Sequence, residues 1–568
     1  MEPKNGTLSD VLQNRLFVVP KYQRPYSWEK EHRDALFGDI ENVKKKNLDE
    51  HFMSTLLFVE AKESRSAGSH EFRVTEIVDG QQRLTTLVII LKAISKRLSR
   101  EKKDKERTEI DELLVKSHSD DLILLQTNHD YEGIFRNYLE NGTVPPKGAQ
   151  GSSITERLRS AFVEAENFVK NWEPIALLRI VKYRLRFVYF VIQNTSQVYS
   201  VFEVINSRGR AVEAIDKAKC VLMQAVAERG KNPQRQIDEI HGIWQRIYGI
   251  IDKIPDEDEI LTFAATFEEG PQESSRVLPA ADAIELYRTK LAERKVRPLD
   301  VAKRFLDVAK ELKGLAESPL RRALADIKGA RLLATSLRLQ AQSFTENQVE
   351  ELLTAWERLA FLFFVLAGFD NRSSSDFVRL ARRVSRENLT YRQTRNEIDG
   401  VASNPRCSRN EVMNRLRELE VYNEWNGHSI IYLYRRYEEY LCGERHEEID
   451  TVTWGKIWAS ASPEQSIEHL FPQGWPPNAS WRGKAQKGVK YPGPWVHSLG
   501  NLLVVTPGLN AKLLDRSFEE KKRILANDLK GLRTAQEIIK LRDWSFKAIR
   551  ARESRIIRWA VGKWCESA

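Results

Sequence analysis

Between Ser466 and Lys521 the chain reads SIEHLFPQ, then HSLGNLLVVTP, then GLNAKLLDRSFEEKK. A carboxylate and an imidazole stand side by side at Glu468 and His469, and amides follow at Asn501 and Asn510. Carboxylate and amide oxygens suit a hard divalent cation such as Mg2+ or Mn2+. Such a cation neutralises a phosphate oxygen and stabilises the leaving oxygen, while a neutral imidazole takes a proton from attacking water. The expected roles are Glu468 and Asn510 as metal ligands and His469 as general base. Asn501 would fix the loop and orient the imidazole through its backbone. His497, just ahead of Gly500–Asn501, is the rival base and ranks second because it lies outside the first strand.

The elements that must hold these groups follow from the apolar pattern. SIEHLFPQ predicts a short strand, Leu502–Thr506 a second, and Asn510 the start of a helix. Strand, loop, strand, helix with His first and Asn last is the order of a ββα-metal (HNH, His-Me finger) domain. Adjacent strand side chains face opposite ways. Glu468 and His469 would therefore share one site only if the strand end near Pro472 is twisted or bulged. The loop between the strands interleaves Trp475, Trp481, Tyr491 and Trp495 with Arg482, Lys484, Lys487 and Lys490. Cations alternating with flat rings compose a nucleic-acid grip. Trp481, Arg482, Lys484, Lys487 and Lys490 are its expected DNA contacts, against the plainer reading of a loop pinned to its own domain by tryptophans. An arginine-rich helix around Arg379, Arg382, Arg383 and Arg386 is the alternative DNA path.

A second constellation lies near the amino end: VPKYQRPYSW, VDGQQRLTTL and VFEVINSRG. Val, Ile, Phe and Thr over Phe72–Asp79 predict a strand, as do Phe17–Pro20, Thr55–Glu60 and Phe187–Gln193. Leu84, Leu87, Val88, Leu91 and Ile94 recur at helical spacing, so DGQQR sits at a strand–turn–helix junction. Free backbone N–H groups there, with Arg83, would cradle a phosphate. Asp79 would hold a metal or a water, and Arg24 and Arg208 would add phosphate contacts. Turn and cap residues with a structural Arg–Asp pair are the competing reading. No GxxxxGK[ST] occurs, which excludes a P-loop.

Around these two regions, 568 residues and a formal charge of +10 imply several domains and fit a polyanionic partner. Lys96–Glu109 reads as an exposed helix end and loop, and Pro145–Ser153 as a loop or hinge. Asp216–Tyr440 reads as almost wholly helical. Cys220, Cys407, Cys442 and Cys565 form no CxxC pair, which argues against a disulfide framework or zinc knuckle. The start has no signal-peptide core, and the longest apolar run, Leu359–Phe369, is too short to span a bilayer. A cytoplasmic protein without membrane contact is expected.

Taken in order, these motifs resemble those of the GmrSD family of type IV restriction endonucleases. VPKYQRPYSW, VDGQQRLTTL and FEVINSRG are similar to its amino-terminal signature; IEHLFPQ, LGNLLVVT and LNAKLL…F..K are similar to its nuclease signature. The resemblance implies an α+β, multidomain chain: a mixed α/β, ParB-like GmrS-like domain over 1–225, a helical domain over 226–425, and a GmrD-like HNH nuclease domain over 426–568. It implies a nucleoside triphosphate bound and hydrolysed by Asp79, Gly80, Gln81, Gln82 and Arg83, with Tyr22, Gln23 and Arg24 beside them. Glu468, His469 and Asn510 inherit the nuclease role and Asn501 the supporting one; Glu468 stands where the family often has Asp. The implied substrate is double-stranded phage DNA with modified cytosine, and a homodimer or a partner defence protein would complete the assembly. A phosphorothioate-sensing nickase of the same architecture, and a DNA-binding regulator with an inactive nuclease fold, are the rival functions.

Overall fold

A computed structural model describes residues 3–117, 122–127, 132–147, 153–192, 213–229, 233–269, 275–340, 343–460, 462–474, 479–481, 484, 493–529 and 531–565, save positions 68 and 388. It divides into two compact units. One comprises residues 1–252, 256–261 and 279–306; the other comprises 253–255, 262–278 and 307–568. The helical region expected as a domain of its own over 226–425 is therefore shared between the two units. Composition reports that a segment is helical, but the neighbour that covers its apolar face decides where it belongs.

The first unit is mixed α/β, as expected. Its strands are β1 (Lys4–Thr7), β2 (Arg15–Val18), β3 (His51–Ala67), β4 (His70–Asp79), β5 (Val115–Ser117), β6 (Leu122–Ile123), β7 (Leu125–Gln126) and β8 (Leu185–Ile192). Six of them form a sheet in the order β1-β8-β3-β4-β2-β7. β8 and β3 run parallel, as do β4, β2 and β7, while β3 and β4 are antiparallel. The helix Gln81–Arg100 springs directly from β4. Its periodicity predicts one apolar face, yet Leu84–Ser95 is buried without a break. Polar groups on the far side are absorbed by partners: Lys92 and Ser95 both reach Asp111 of the helix Asp104–Leu114. That helix also replaces part of the loop expected over Lys96–Glu109, because Ile110 and Leu114 give it a buried edge.

In the second unit, helices enclose one small ribbon. The strands β9 (Ile467–His469) and β10 (Leu502–Val504) pair antiparallel, setting His469 against Leu502 and Glu468 against Leu503. The helix Pro507–Leu513 follows at once, so the strand–loop–strand–helix order of the sequence is present. Both strands are shorter than the apolar runs that predict them; Thr506 is already the cap of the helix whose first residue is Pro507. Two further helices support the ribbon, Phe518–Asp528 and Phe546–Cys565. Leu359–Phe369 is buried helix and turn around Phe361, as its length predicts. Among the described residues no helix is long and apolar enough to cross a membrane.

Candidate functional site

At the β4–helix junction, Gly80 makes the turn with φ +91. That left-handed backbone favours glycine, and a Cβ there would lie 2.3 Å from Leu56 Cδ2. The side chains on either side of it divide into two groups. One group holds the preceding chain in place. Gln81 Nε2 donates to the Arg24 carbonyl (3.1 Å) and Gln82 Nε2 to that of Pro25 (3.0 Å), while Gln82 Oε1 accepts from Ser27 N (2.9 Å). Gln23 Nε2 donates to the Val78 carbonyl (2.6 Å), and Tyr22 is buried. Arg24 is committed as well: Nε donates to Asp216 Oδ2 (2.7 Å), Nη2 stands 3.6 Å from Glu257, and Tyr248 donates to the other Asp216 oxygen. The ring of amides and Arg24 expected around a ligand is thus spent on main chain and on Asp216.

The other group keeps its chemistry. Asp79 Oδ1 accepts from Gly80 N (2.8 Å), and burial pushes its carboxyl above the usual range. The Arg83 guanidinium lies over the Trp28 ring at 5.8 Å. Burial lowers its affinity for a proton, against the pull of Asp79 and Asp39. Arg83 and the first N–H groups of the helix are the donors this junction presents to an anion. FEVINSRG, with Arg208, lies outside the described residues.

At the ribbon, strand alternation sends Glu468 and His469 to opposite sides, and each finds a different partner. His469 Nε2 lies 3.2 Å from His497 Nδ1. The ring of Tyr422 packs against both, at 4.4 and 5.9 Å between centroids. Burial, the neighbouring His497 and Lys521 push the His469 imidazole down to about 3. Burial also lowers His497, against the pull of Glu420. The two rivals for the base therefore form one pair, neutral at neutral pH. Glu468 instead meets Lys521, whose Nζ lies 2.5 Å from Oε1 and also donates to the His469 and Leu470 carbonyls. Both side chains are buried. At Glu468, expected as a metal ligand, the charge is matched by an ammonium, and a cation there would have to displace Lys521. Asn510 Nδ2 donates to the Gln465 carbonyl (2.9 Å) and, at 3.4 Å, to that of Ile467. Among the described residues no three His, Cys, Asp or Glu side chains are grouped to hold a metal.

Asn501 is fully enclosed. Its Oδ1 accepts from Phe471 N (2.8 Å) and Trp544 Nε1 (3.1 Å), and its Nδ2 donates to the Phe471 and Val496 carbonyls (2.9 and 2.8 Å). It binds the end of β9 to the segment carrying His497. Gly500 packs so closely on the helix Phe546–Cys565 that a Cβ would lie 2.1 Å from the Ile549 carbonyl. From that helix the buried Arg552 donates to the Gly500 and Leu502 carbonyls (3.0 and 2.6 Å).

A family model of the GmrSD restriction endonuclease N-terminal domain matches residues 8–223, and one of the C-terminal domain matches residues 408–559. The chain belongs to the GmrSD restriction endonuclease family. Comparison with curated individual proteins finds no match. Membership makes the chain a nuclease with DNA as its substrate. Asp79–Arg83 falls within the GmrSD N-terminal match, and the His469–His497 pair within the C-terminal one.

One expected DNA contact of the GmrSD C-terminal domain is corrected. Trp481 is wholly buried, its ring tilted against Phe471 with centroids 4.9 Å apart and Nε1 donating to the Arg516 carbonyl (3.1 Å). Lys484 is paired with Asp543 at 2.8 Å. A tryptophan with its N–H satisfied inside the core is an anchor, not a stacking platform. Arg482, Lys487 and Lys490 lie outside the described residues. On the arginine-rich helix, Arg379 pairs with Asp376, Arg382 with Glu269 and Arg383 with Glu387 and Glu397, while Arg386 donates to the Glu269 carbonyl. Those four hold their own unit together. Sequence reasoning missed Tyr422, Trp544, Arg552 and Lys521. Lys521 alone left a signal, as the last residue of LNAKLL…F..K.

Proposed function

We propose that this GmrSD protein is a type IV, modification-dependent endonuclease of phage defence. Its substrate is DNA carrying hydroxymethylated or glucosylated cytosine, and a nucleoside triphosphate at Asp79–Arg83 regulates cutting. The observation that carries the nuclease half is the His469–His497 pair at 3.2 Å. His497 fixes the ring of His469, Asn501 fixes the backbone beneath both, and burial keeps the imidazoles neutral. A neutral imidazole accepts a proton from water. A phosphate drawn against it favours the imidazolium and raises its basicity from the depressed value. In the N-terminal half, Arg83 and the N–H groups opening the helix Gln81–Arg100 bind the phosphates, and Asp79 orients a water.

A divalent cation, Mg2+ or Mn2+, belongs to the same proposal. When bound it would supply charge to the phosphate and leaving oxygens. Asn510 offers its amide oxygen, and Glu468 would join only by giving up Lys521. The test is digestion of modified and unmodified phage DNA with Mg2+, Mn2+ or chelator, each with and without nucleoside triphosphate. Cleavage is expected on modified DNA with metal, and to change with nucleotide. Undiminished cutting in chelator would remove the cation from the proposal; equal cutting of both DNAs would remove the modification. Binding without cutting under every condition would instead favour a regulator with an inactive nuclease fold.

A further inference from the structure

Away from the histidine pair, the second unit holds a cavity of about 530 Å³ between the helices Gly427–Gly443 and Phe546–Cys565. Its walls are aromatic and mostly basic, with Glu439 as their one carboxylate among the lining residues. Tyr440, 42 % exposed, and Trp559 face each other with centroids 5.9 Å apart. Trp559 is gripped from behind by Tyr437 at 4.9 Å and by Trp564 at 5.2 Å, so the platform is held rigidly. Arg558 and Lys563 stand at the rim, exposed and without an ion-pair partner among the described residues. Arg436, deeper in, is matched by Glu357 and Glu439. The cavity thus offers two cations without a direct ion pair beside two rings, with Glu439 as the acidic residue of its lining. Burial and then the positive charge of Arg436 lower the proton affinity of Lys563, against the pull of Glu439 and Glu357.

The floor carries a second, independent sign. Gly562 is the helical residue between Trp559 and Lys563, and nothing lies within 4 Å of where its Cβ would be. Glycine inside a helix is unfavourable relative to alanine. Here close packing does not require it, and its effect is to keep the cavity open. A pocket of this size, with rings for a flat apolar group and charges for an anion, has the composition of a nucleotide site.

We propose that this cavity binds one nucleoside phosphate, its base stacked on Trp559 and Tyr440 and its phosphate against Arg558 and Lys563. The nucleotide belongs either to a DNA strand or to a free nucleotide pool. The same helix carries Ile549 and Arg552 beneath the Gly500–Leu502 segment. Ten residues of helical rise put Trp559 about 15 Å along it from Ile549, so occupation of the cavity and the histidine pair share one rigid support.

The test uses the full chain in chelator, so that only binding is read and the outcome is independent of the nuclease proposal. The probes are a labelled short single-stranded DNA followed by fluorescence anisotropy, and an unlabelled deoxynucleoside monophosphate followed by calorimetry. Gly562→Leu fills the cavity, removes no contact and improves helix propensity. It should keep or raise the thermal midpoint while weakening at least one probe by about tenfold. Lys563→Ala should flatten the salt dependence of strand binding by about 0.7 in slope. Loss confined to the oligonucleotide identifies a DNA strand as the occupant, and loss of the monophosphate identifies a free nucleotide. Unchanged binding of both probes by Gly562→Leu and by Tyr440→Ala overturns the proposal.

Discussion

The Asp79–Arg83 junction and the His469–Asn501 ribbon divide their polar residues in the same way but leave different chemistry behind. In each, amides are spent on architecture: Gln81 and Gln82 hold the Arg24–Ser27 segment, and Asn501 holds β9 to the His497 segment. At the first site what remains is a cation and the N–H groups of a helix start, which suit an anion. At the second, two neutral imidazoles remain, His469 buried and His497 half-buried, which suit proton transfer. A motif therefore names the residues that build a site without saying which of them act. The contrast can be broken by substituting an acting and a holding residue in each region.

The largest effect is expected at the imidazoles. His469→Ala should lower single-turnover cleavage by about 10²- to 10⁴-fold with folding and DNA binding retained. Full activity in that variant with an inactive His497→Ala would transfer the base to His497. The pH profile sharpens the assignment. A His held down to about 3 stays neutral as pH falls below its ordinary value of 6.5, so the acid limb of wild-type cleavage should lie below 6.5. The charge of His497 is one of the causes. His497→Ala should therefore move that limb back toward neutral, and an unmoved limb would show that His469 is not the group titrating.

How much of this was legible in the sequence depends on distance along the chain. The DGQQR turn and the strand–loop–strand–helix order were readable, because periods of two and of three to four report local structure directly. The opposed faces of Glu468 and His469 were readable for the same reason. Partners were not. Lys521 meets Glu468 across 53 residues, and Tyr422 and Arg552 reach the ribbon from helices that carry no motif. Composition misled at Trp481: rings among lysines describe a DNA grip and a pinned loop equally well, and only burial separates them.

The next effect is one of stability. Removing one member of a buried ion pair strands the other charge, at a cost of about 3–5 kcal/mol. Lys521→Met should therefore lower the urea midpoint sharply, and adding Glu468→Gln should restore most of it. Manganese added to Lys521→Met should stabilise it if the cation takes the place of the ammonium at Glu468. A single variant as stable as wild type would mean that the pair is not what holds the ribbon.

The smallest effect separates holding from acting at the amino-terminal junction. Gln82→Leu keeps the side-chain volume but removes the bonds to the Pro25 carbonyl and the Ser27 N–H. Main-chain groups left without a partner in a partly buried place cost about 1–3 kcal/mol. Arg83→Met keeps the apolar stem against Trp28 and removes the charge, so its stability should fall by only about 0.5–2 kcal/mol, the worth of a cation over a ring. Nucleotide affinity should respond in the opposite order. Arg83→Met loses the cation proposed, among the described residues, to meet the phosphates, whereas Gln82→Leu retains Arg83 and the N–H groups of the helix start. Thermal midpoints and nucleoside triphosphate titrations of the two variants, taken side by side, decide between the roles. If Gln82→Leu abolishes nucleotide binding at an unchanged midpoint while Arg83→Met binds normally, the glutamine is the ligand and the arginine is structural. The division drawn between the two regions would then hold only at the ribbon.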